Sequence, residues 1–371
     1  MDFSFTDEQQ EARALTRRIL EDKVTEDLLR AAEAAEIRFD PATWSALADA
    51  GLLGLGLPVE HGGGGLGLVE QCVVLEEVGR TVAPVPVAAS TVFGAAPLAR
   101  FGTEAQRARW LPAAAEGRAV LTAALSEPGN RRPERPVTRA AAVAGCWRLD
   151  GVKTRVPAGA QADAVVLGAT TDDGRPALFL VERDTPGLVV EPQAVTSGHA
   201  EARLTLDGVV VGADAVVARP DVGAEALDWS LQRSTVALGA QQLGVLSRAL
   251  ELTAAYSKER VQFDVPIATF QAVGHRLADC YIDVEGLRLT LWQAVWHLEE
   301  GCSAATEVEV AKFWAAEAGH RVAHAAVHIH GGMGIADDYP LHRYFLAAKS
   351  IELALGGATD QLLRIGARFA E

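Results

Sequence analysis

Closely spaced cysteine pairs are missing from this sequence. Its four cysteines, Cys72, Cys146, Cys280 and Cys302, are scattered through 371 residues, and no two show CxxC spacing. Neither a zinc site nor a disulfide framework is suggested, and reduced thiols are expected. An excess of positive charge is missing as well. The 34 Lys and Arg face 49 Asp and Glu, for a net charge of −15. That argues against nucleic acid as a partner, because neutralising phosphate needs clustered cations. No apolar run approaches the roughly 18 residues of a spanning helix, so no membrane partner is expected. The opening Met-Asp-Phe-Ser-Phe-Thr-Asp-Glu is acidic where a signal peptide is basic, and a cytoplasmic protein is expected. The glycine run 62–65 lacks the following Lys-Ser/Thr of a phosphate loop and has no strand before it, so it reads as a flexible turn.

What is present is a globular composition, 49% hydrophobic and 22% charged, long enough for two or three domains. Residues 1–117 read as helical. Thr6 with Gln9 and Thr103 with Gln106 have the spacing of capping boxes, and Phe39–Leu57 and Val69–Val78 carry helical apolar periods. Over 118–220 short β-branched runs alternate with Gly, Pro and Asp turns, including Asp-Gly at 150–151 and 207–208, as in a small antiparallel sandwich or barrel. Over 221–371 the helical period returns in Leu227–Ala255, Gln271–Glu300 and Ala304–Ile329. These runs are too apolar to stand alone and predict a bundle that associates with other subunits. The fold class expected is mainly α with a central β-domain.

Between two of these long helices lies Tyr256–Gln271. Arg260 offers a planar fork of donors suited to phosphate. Phe263 offers a ring face, and Gln271 both a donor and an acceptor. The spacing reads as a nucleotide-gripping corner. Arg260 alone would read as a surface salt-bridge residue; the joint spacing reverses that. His328 and His330 flank a glycine turn with no carboxylate or Cys at ligand spacing, so turn or packing roles are expected, not metal. Trp292, Trp296 and Trp314 have the helical spacing of core or interface residues.

The layout and its motifs resemble the acyl-CoA dehydrogenase family along almost the whole chain. Trp44–Pro58, Glu76–Arg80, Gly102–Gln106 with Leu111-Pro112, and Leu125–Gly129 resemble family signatures in order. Arg260, Phe263 and Gln271 resemble its Arg-x-x-Phe-Gly…Gln corner, and His328–Gly334 its Gln-x-x-Gly-Gly-x-Gly turn. The turn and Tyr339–Arg343 look most like the actinobacterial branch acting on sterol side-chain thioesters. The resemblance implies FAD as cofactor, α,β-desaturation of an acyl-CoA, and an electron acceptor such as electron-transfer flavoprotein. It also implies cofactor-binding roles for Arg260, Gln262, Phe263, Gln271, His328, Gly331 and Gly332.

The same resemblance exposes what this chain lacks. The family's base is a Glu at one of two places. One falls at Gly356 or Gly357; the other falls at Gln232, beside Arg233. Glycine has no side chain and an amide cannot take the proton, so no catalytic residue is expected; a general base is worth roughly 10²–10⁴-fold. Glu352 and Asp360 lie near the first place as possible substitutes. The flavin-holding Trp-Ile-Thr/Ser reads Arg155-Val156-Pro157, and Pro157 has no N–H to give. Gly129-Asn130-Arg131-Arg132 replaces Gly-Ser-Asp, and Leu346-Ala347 replaces Arg-Asp. Asp264 replaces a family glycine beside the diphosphate corner. The residues lost are those the family uses within one subunit; the residues kept are those it lends to a neighbour. A hetero-oligomer is therefore implied, α2β2 with a paralogous catalytic subunit that holds the acyl-CoA in its own pocket. The alternatives are a self-sufficient homotetramer with a relocated base and a non-enzymatic acyl-CoA-binding or scaffolding homologue.

Overall fold

A computed structural model describes residues 4–369. The chain is mainly α with a central mixed sheet and a C-terminal helical bundle, as expected. It divides into two compact units, one running to Gln71 and again over Pro84–Ser234, the other comprising Cys72–Ala83 and the chain from Thr235. Among the described residues no helix is long and apolar enough to cross a membrane.

In the first unit come helices α1 (Asp7–Lys23), α2 (Glu26–Ala34) and α3 (Pro41–Asp49). The Thr6 capping box forms as read, with Gln9 N–H donating to the Thr6 hydroxyl and Thr6 N–H to the Gln9 side chain. The helix expected over Phe39–Leu57 is shorter. Asp40 caps it, Pro41 occupies its first turn, and Gly51, at φ 73°, ends it. The glycine run is no loose turn. Gly63, Gly64 and Gly65 donate to Pro58, Gly54 and Leu57 carbonyls, and a Cβ at Gly63 would collide with the Leu57 backbone. These glycines serve close packing. Helix α4 (Leu68–Thr81) passes into the second unit. Back in the first, a buried π-helical stretch over Ala88–Ala95 leads to α5 (Ala96–Phe101) and α6 (Glu104–Ala115), the latter opened by the Thr103 capping box.

The strands are β1 (Leu121–Ala124), β2 (Arg139–Val143), β3 (Cys146–Pro157), β4 (Ala164–Thr171), β5 (Pro176–Glu182), β6 (Leu188–Gln193), β7 (Glu201–Val211) and β8 (Val216–Ala218). They form one sheet in the order β6-β7-β3-β2-β4-β5-β8, with β1 on β4. Most pairs are antiparallel as expected, but β1 and β2 run parallel to β4. The two Asp-Gly pairs expected to be hairpin turns lie inside β3 and β7. There they face each other at a one-residue bulge on β7, where Gly208 takes φ 63° and its N–H donates to Asp150. A second bulge, on β3, places Arg155 at φ 49° and restores the register. Burial follows the bulges: Ala202, Leu204 and Leu206 alternate inward, then Val209 and Val211 after a one-residue slip.

The second unit is the bundle: α7 (Gly223–Glu259, from Thr235), α8 (Gln271–Glu299), α9 (Ala305–His330), α10 (Leu341–Leu353) and α11 (Ala358–Arg368). Between α7 and α8 stand β9 (Val261–Gln262) and β10 (Val265–Pro266). α4 crosses α7 glycine to glycine: a Cβ at Gly79 or Gly244 would strike the other helix's backbone. The buried Gln242 amide of α7 donates to Ala315 on α9 and Ala348 on α10, tying three helices together.

Candidate functional site

The corner after α7 is built by a short hairpin over Val261–Pro266. Arg260 N–H closes the last helical turn on Tyr256, and Ile267 N–H donates to the Arg260 carbonyl at 2.8 Å. Val265 and Pro266 pair with Gln262 and Val261. Phe263 and Asp264 form the two-residue turn, at φ 53° and 66°. Two successive left-handed residues suit a primed turn. Asp is tolerated in that conformation and Phe rarely, at a cost of order 1 kcal/mol. Phe263 is 87% exposed, its ring edge-on to Phe270 at 6.1 Å. Among the described residues the Arg260 guanidinium, which is exposed, makes no hydrogen bond or ion pair. The Gln262 amide donates to the Val261 carbonyl, and Gln271 is exposed at the first turn of α8, where no side chain caps the helix.

The glycine turn at the end of α9 lies beside this corner. Gly331 takes φ 61°, ψ −136°, a conformation that excludes a side chain. Gly334 packs on the Val327 backbone. Gly332 has neither reason: its φ is ordinary and an added Cβ would meet nothing within 4 Å. A glycine that the chain itself does not require, on open ground, fits close approach by another molecule's backbone or phosphate. His328 is exposed. His330 is buried, and its ring stacks on Tyr256 at 4.2 Å. Its Nδ1 lies 2.8 Å from the Ala326 carbonyl and its Nε2 3.1 Å from the Tyr339 hydroxyl. His330 is thus a packing histidine, and the bond to Ala326 places its proton on Nδ1. All seven residues read from the sequence as cofactor-binding sit in this unit. Tyr256 and Tyr339, which join its two halves, were read only as parts of motifs.

At the two places expected from the resemblance for a base, the structure shows groups with other work. Gln232 donates to Asp228 at 2.6 Å, and the Arg233 guanidinium lies over Trp229 at 3.9 Å. In the second unit, the buried Lys312 ammonium donates to the Ile351 and Glu352 carbonyls at 3.0 Å each. The buried Gln361 amide holds the Leu355 and Gly356 carbonyls. The turn they fix puts Leu355 at φ 54° and Gly356 at φ 101°. Gly356 cannot carry a side chain there without strain, whereas a Cβ at Gly357 would meet only the Glu352 carbonyl at 3.8 Å. The Glu352 carboxylate binds Lys349 at 2.6 Å and faces His320 at 3.5 Å. Asp360 accepts the Gly357 N–H and caps α11.

In the first unit, Arg155 N–H and the Thr154 hydroxyl both donate to Gln193, and the Pro157 carbonyl accepts from Thr122. The loop after Gly129 is strapped to buried Glu127, which accepts from Asn130, Val137, Thr138 and Lys153. Burial alone would raise the Glu127 pKa, but Lys153 and these donors hold it down at about 2. Burial pushes Lys153 below its ordinary value.

The fold is that of the acyl-CoA dehydrogenase family. Residues 6–118 match the acyl-CoA dehydrogenase N-terminal domain and residues 221–370 its C-terminal domain. The chain belongs to the acyl-CoA dehydrogenase family. It is similar to acyl-CoA dehydrogenase FadE27 of Mycobacterium tuberculosis, at 45% identity over 100% of this chain and 99% of that one. A chain of the ChsE4-ChsE5 complex from the same organism superposes with TM-score 0.95 at 45% identity, covering 100% and 99%. A variant of the Tcur3481-Tcur3483 steroid ACAD superposes with TM-score 0.92 at 46% identity, covering 98% of each chain.

Proposed function

We propose that this chain is the subunit of a heteromeric FAD-dependent acyl-CoA dehydrogenase that lacks its own base and completes the flavin site of a catalytic paralogue. The observation carrying this reading is the contrast within one chain. Gln232, Gly356 and Gly357 offer no carboxylate, and Glu352 and Asp360 are held by Lys349 and the α11 N-terminus. Arg260, Phe263, Gln271 and Gly332 are exposed and open.

FAD would supply the hydride acceptor for desaturation. This chain's part is to bind and orient. Arg260 would offer its fork of donors to the diphosphate, Gly331 and Gly332 would let phosphate approach the backbone, and Phe263 would offer a ring to the adenine half. Gln262, Gln271 and His328 supply the flanking donors. A sterol side-chain thioester as substrate, in the partner's pocket, is supported by the steroid relative, and the paralogous partner by the two-component ChsE4-ChsE5 complex. An electron-transfer flavoprotein is the proposed acceptor.

The test is co-expression with a paralogue that carries the Glu. Yellow, active protein with one flavin per pair of unlike chains is expected, and colourless or insoluble protein from this chain alone. Strong turnover by this chain alone would overturn the reading.

A further inference from the structure

The two halves of the corner come from segments 74 residues apart, and one side-chain stack joins them. Tyr256 stands one helical turn before Arg260; His330 immediately precedes Gly331. Their rings lie 4.2 Å apart and 24° from parallel, and the Tyr256 hydroxyl reaches the His330 carbonyl at 3.5 Å. Tyr339 closes the third side, with its hydroxyl on Nε2 and its ring 5.1 Å from the imidazole. Because Nδ1–H is spent on Ala326, Nε2 is the lone-pair side and Tyr339 is the donor. The arrangement suits neutral imidazole.

We propose that His330 is a positioning residue of the nucleotide grip: neutral, it holds the Arg260 hairpin beside the Gly331–Gly332 turn, and protonated, it lets them part. A second proton on the ring would sit in a buried stack and would force Tyr339 to give up its donor role. The groups facing the ring are Tyr256 from α7, the Ala326 carbonyl from α9 and Tyr339 from the segment before α10. The charges acting on Tyr339 are Glu259 and Arg248, both on α7 and opposite in sign. None of the facing groups is a carboxylate that would welcome an imidazolium. Burial accordingly lowers the His330 pKa, with the Ala326 carbonyl pulling the other way. A histidine with a depressed value favours the closed stack above its ordinary pKa of about 6.5. That preference is lost as the pH falls towards the lowered value.

The inference rests on the nucleotide-grip reading, and the experiment separates the two. The complex with the Glu-bearing paralogue is stripped of flavin and titrated with FAD from about pH 8 to about pH 5. Wild type is expected to weaken about threefold or more over that range. His330→Phe keeps a stacking ring but cannot be protonated; its FAD affinity should be nearly flat with pH. Arg260→Ala should weaken binding on the order of tenfold at every pH and keep the wild-type slope. A flat wild-type profile, or an acid loss retained in His330→Phe, overturns the role of His330. An Arg260→Ala complex that binds FAD as wild type does overturns the grip itself. Thermal melting of each variant complex, matched to wild type at about pH 8, excludes misfolding as the cause.

Discussion

The Lys153 ammonium meets the Glu127 carboxylate at 2.7 Å, with both side chains 1% exposed, and also donates to the Gly168 carbonyl at 2.7 Å. This pair pins the loop that follows Gly129 to the strand that carries Arg155 and Pro157.

Replacing one member of this pair strands the other in the core. Lys153→Met should destabilise the chain by about 3–5 kcal/mol, measured by urea unfolding of the complex. Glu127, with its pKa held at about 2, contributes stability that is present above its ordinary value near 4.5 and lost as the pH falls towards 2. The acid limb of the unfolding profile should flatten in Glu127→Gln.

The turn between α10 and α11 distinguishes its two glycines. Gly356→Ala, forced to φ 101°, should cost more than about 1 kcal/mol. Gly357→Glu enters open space and should change stability by no more than about 0.5 kcal/mol. Equal melting temperatures for the two variants would contradict this. Gly357→Glu in the isolated chain should still show no turnover, because Pro157 has no N–H to offer the flavin.

Glu352 and Asp360 act within the structure, on Lys349 and on the Gly357 N–H. The double variant Glu352→Gln/Asp360→Ala should leave kcat of the complex within about twofold, and lower its melting temperature through the lost cap, worth roughly 1 kcal/mol. A loss of turnover of a hundredfold or more would instead make one of them the base.

Asp264 places a carboxylate in the turn of the proposed nucleotide grip. Asp264→Asn keeps a residue that tolerates φ 66° and removes the charge. FAD affinity of the complex should rise by an amount on the order of 0.5 kcal/mol at low salt, and the gain should shrink as salt screens it. Tighter binding that ignores salt would point to a conformational cause.

The long helices were legible because their apolar periods run for many turns; α8 and α9 end within a residue of where Gln271–Glu300 and Ala304–Ile329 place them. The sheet was harder to read. Asp-Gly at 150–151 and 207–208 carries the signature of a turn, but bulges need the same backbone freedom, and only the pairing of distant strands separates the two. The glycine run 62–65 was misread for a related reason: glycine marks close packing as well as looseness, and the Leu57 backbone that demands it is fixed by the fold. In the candidate site, Arg260, Phe263 and Gln271 were visible because they fall within one short stretch of sequence. The joining of Tyr256 to His330 was not, because nothing in a linear pattern announces a stack between the ends of two helices.

The opposed bulges in β3 and β7 have the logic of a frameshift and its suppressor. Gly208 inserts one extra residue on one strand and Arg155 one on the other, so the ladder is out of step only over Gly151–Lys153 and Leu204–Leu206. Deleting Gly208 alone would turn the buried face of one end of β7 outward. Deleting Arg155 as well would bring both strands back into a single reading frame, at the expense of the kink on which Arg155 stands. The two extra residues are thus coupled: removing either alone would leave one end of the ladder out of step.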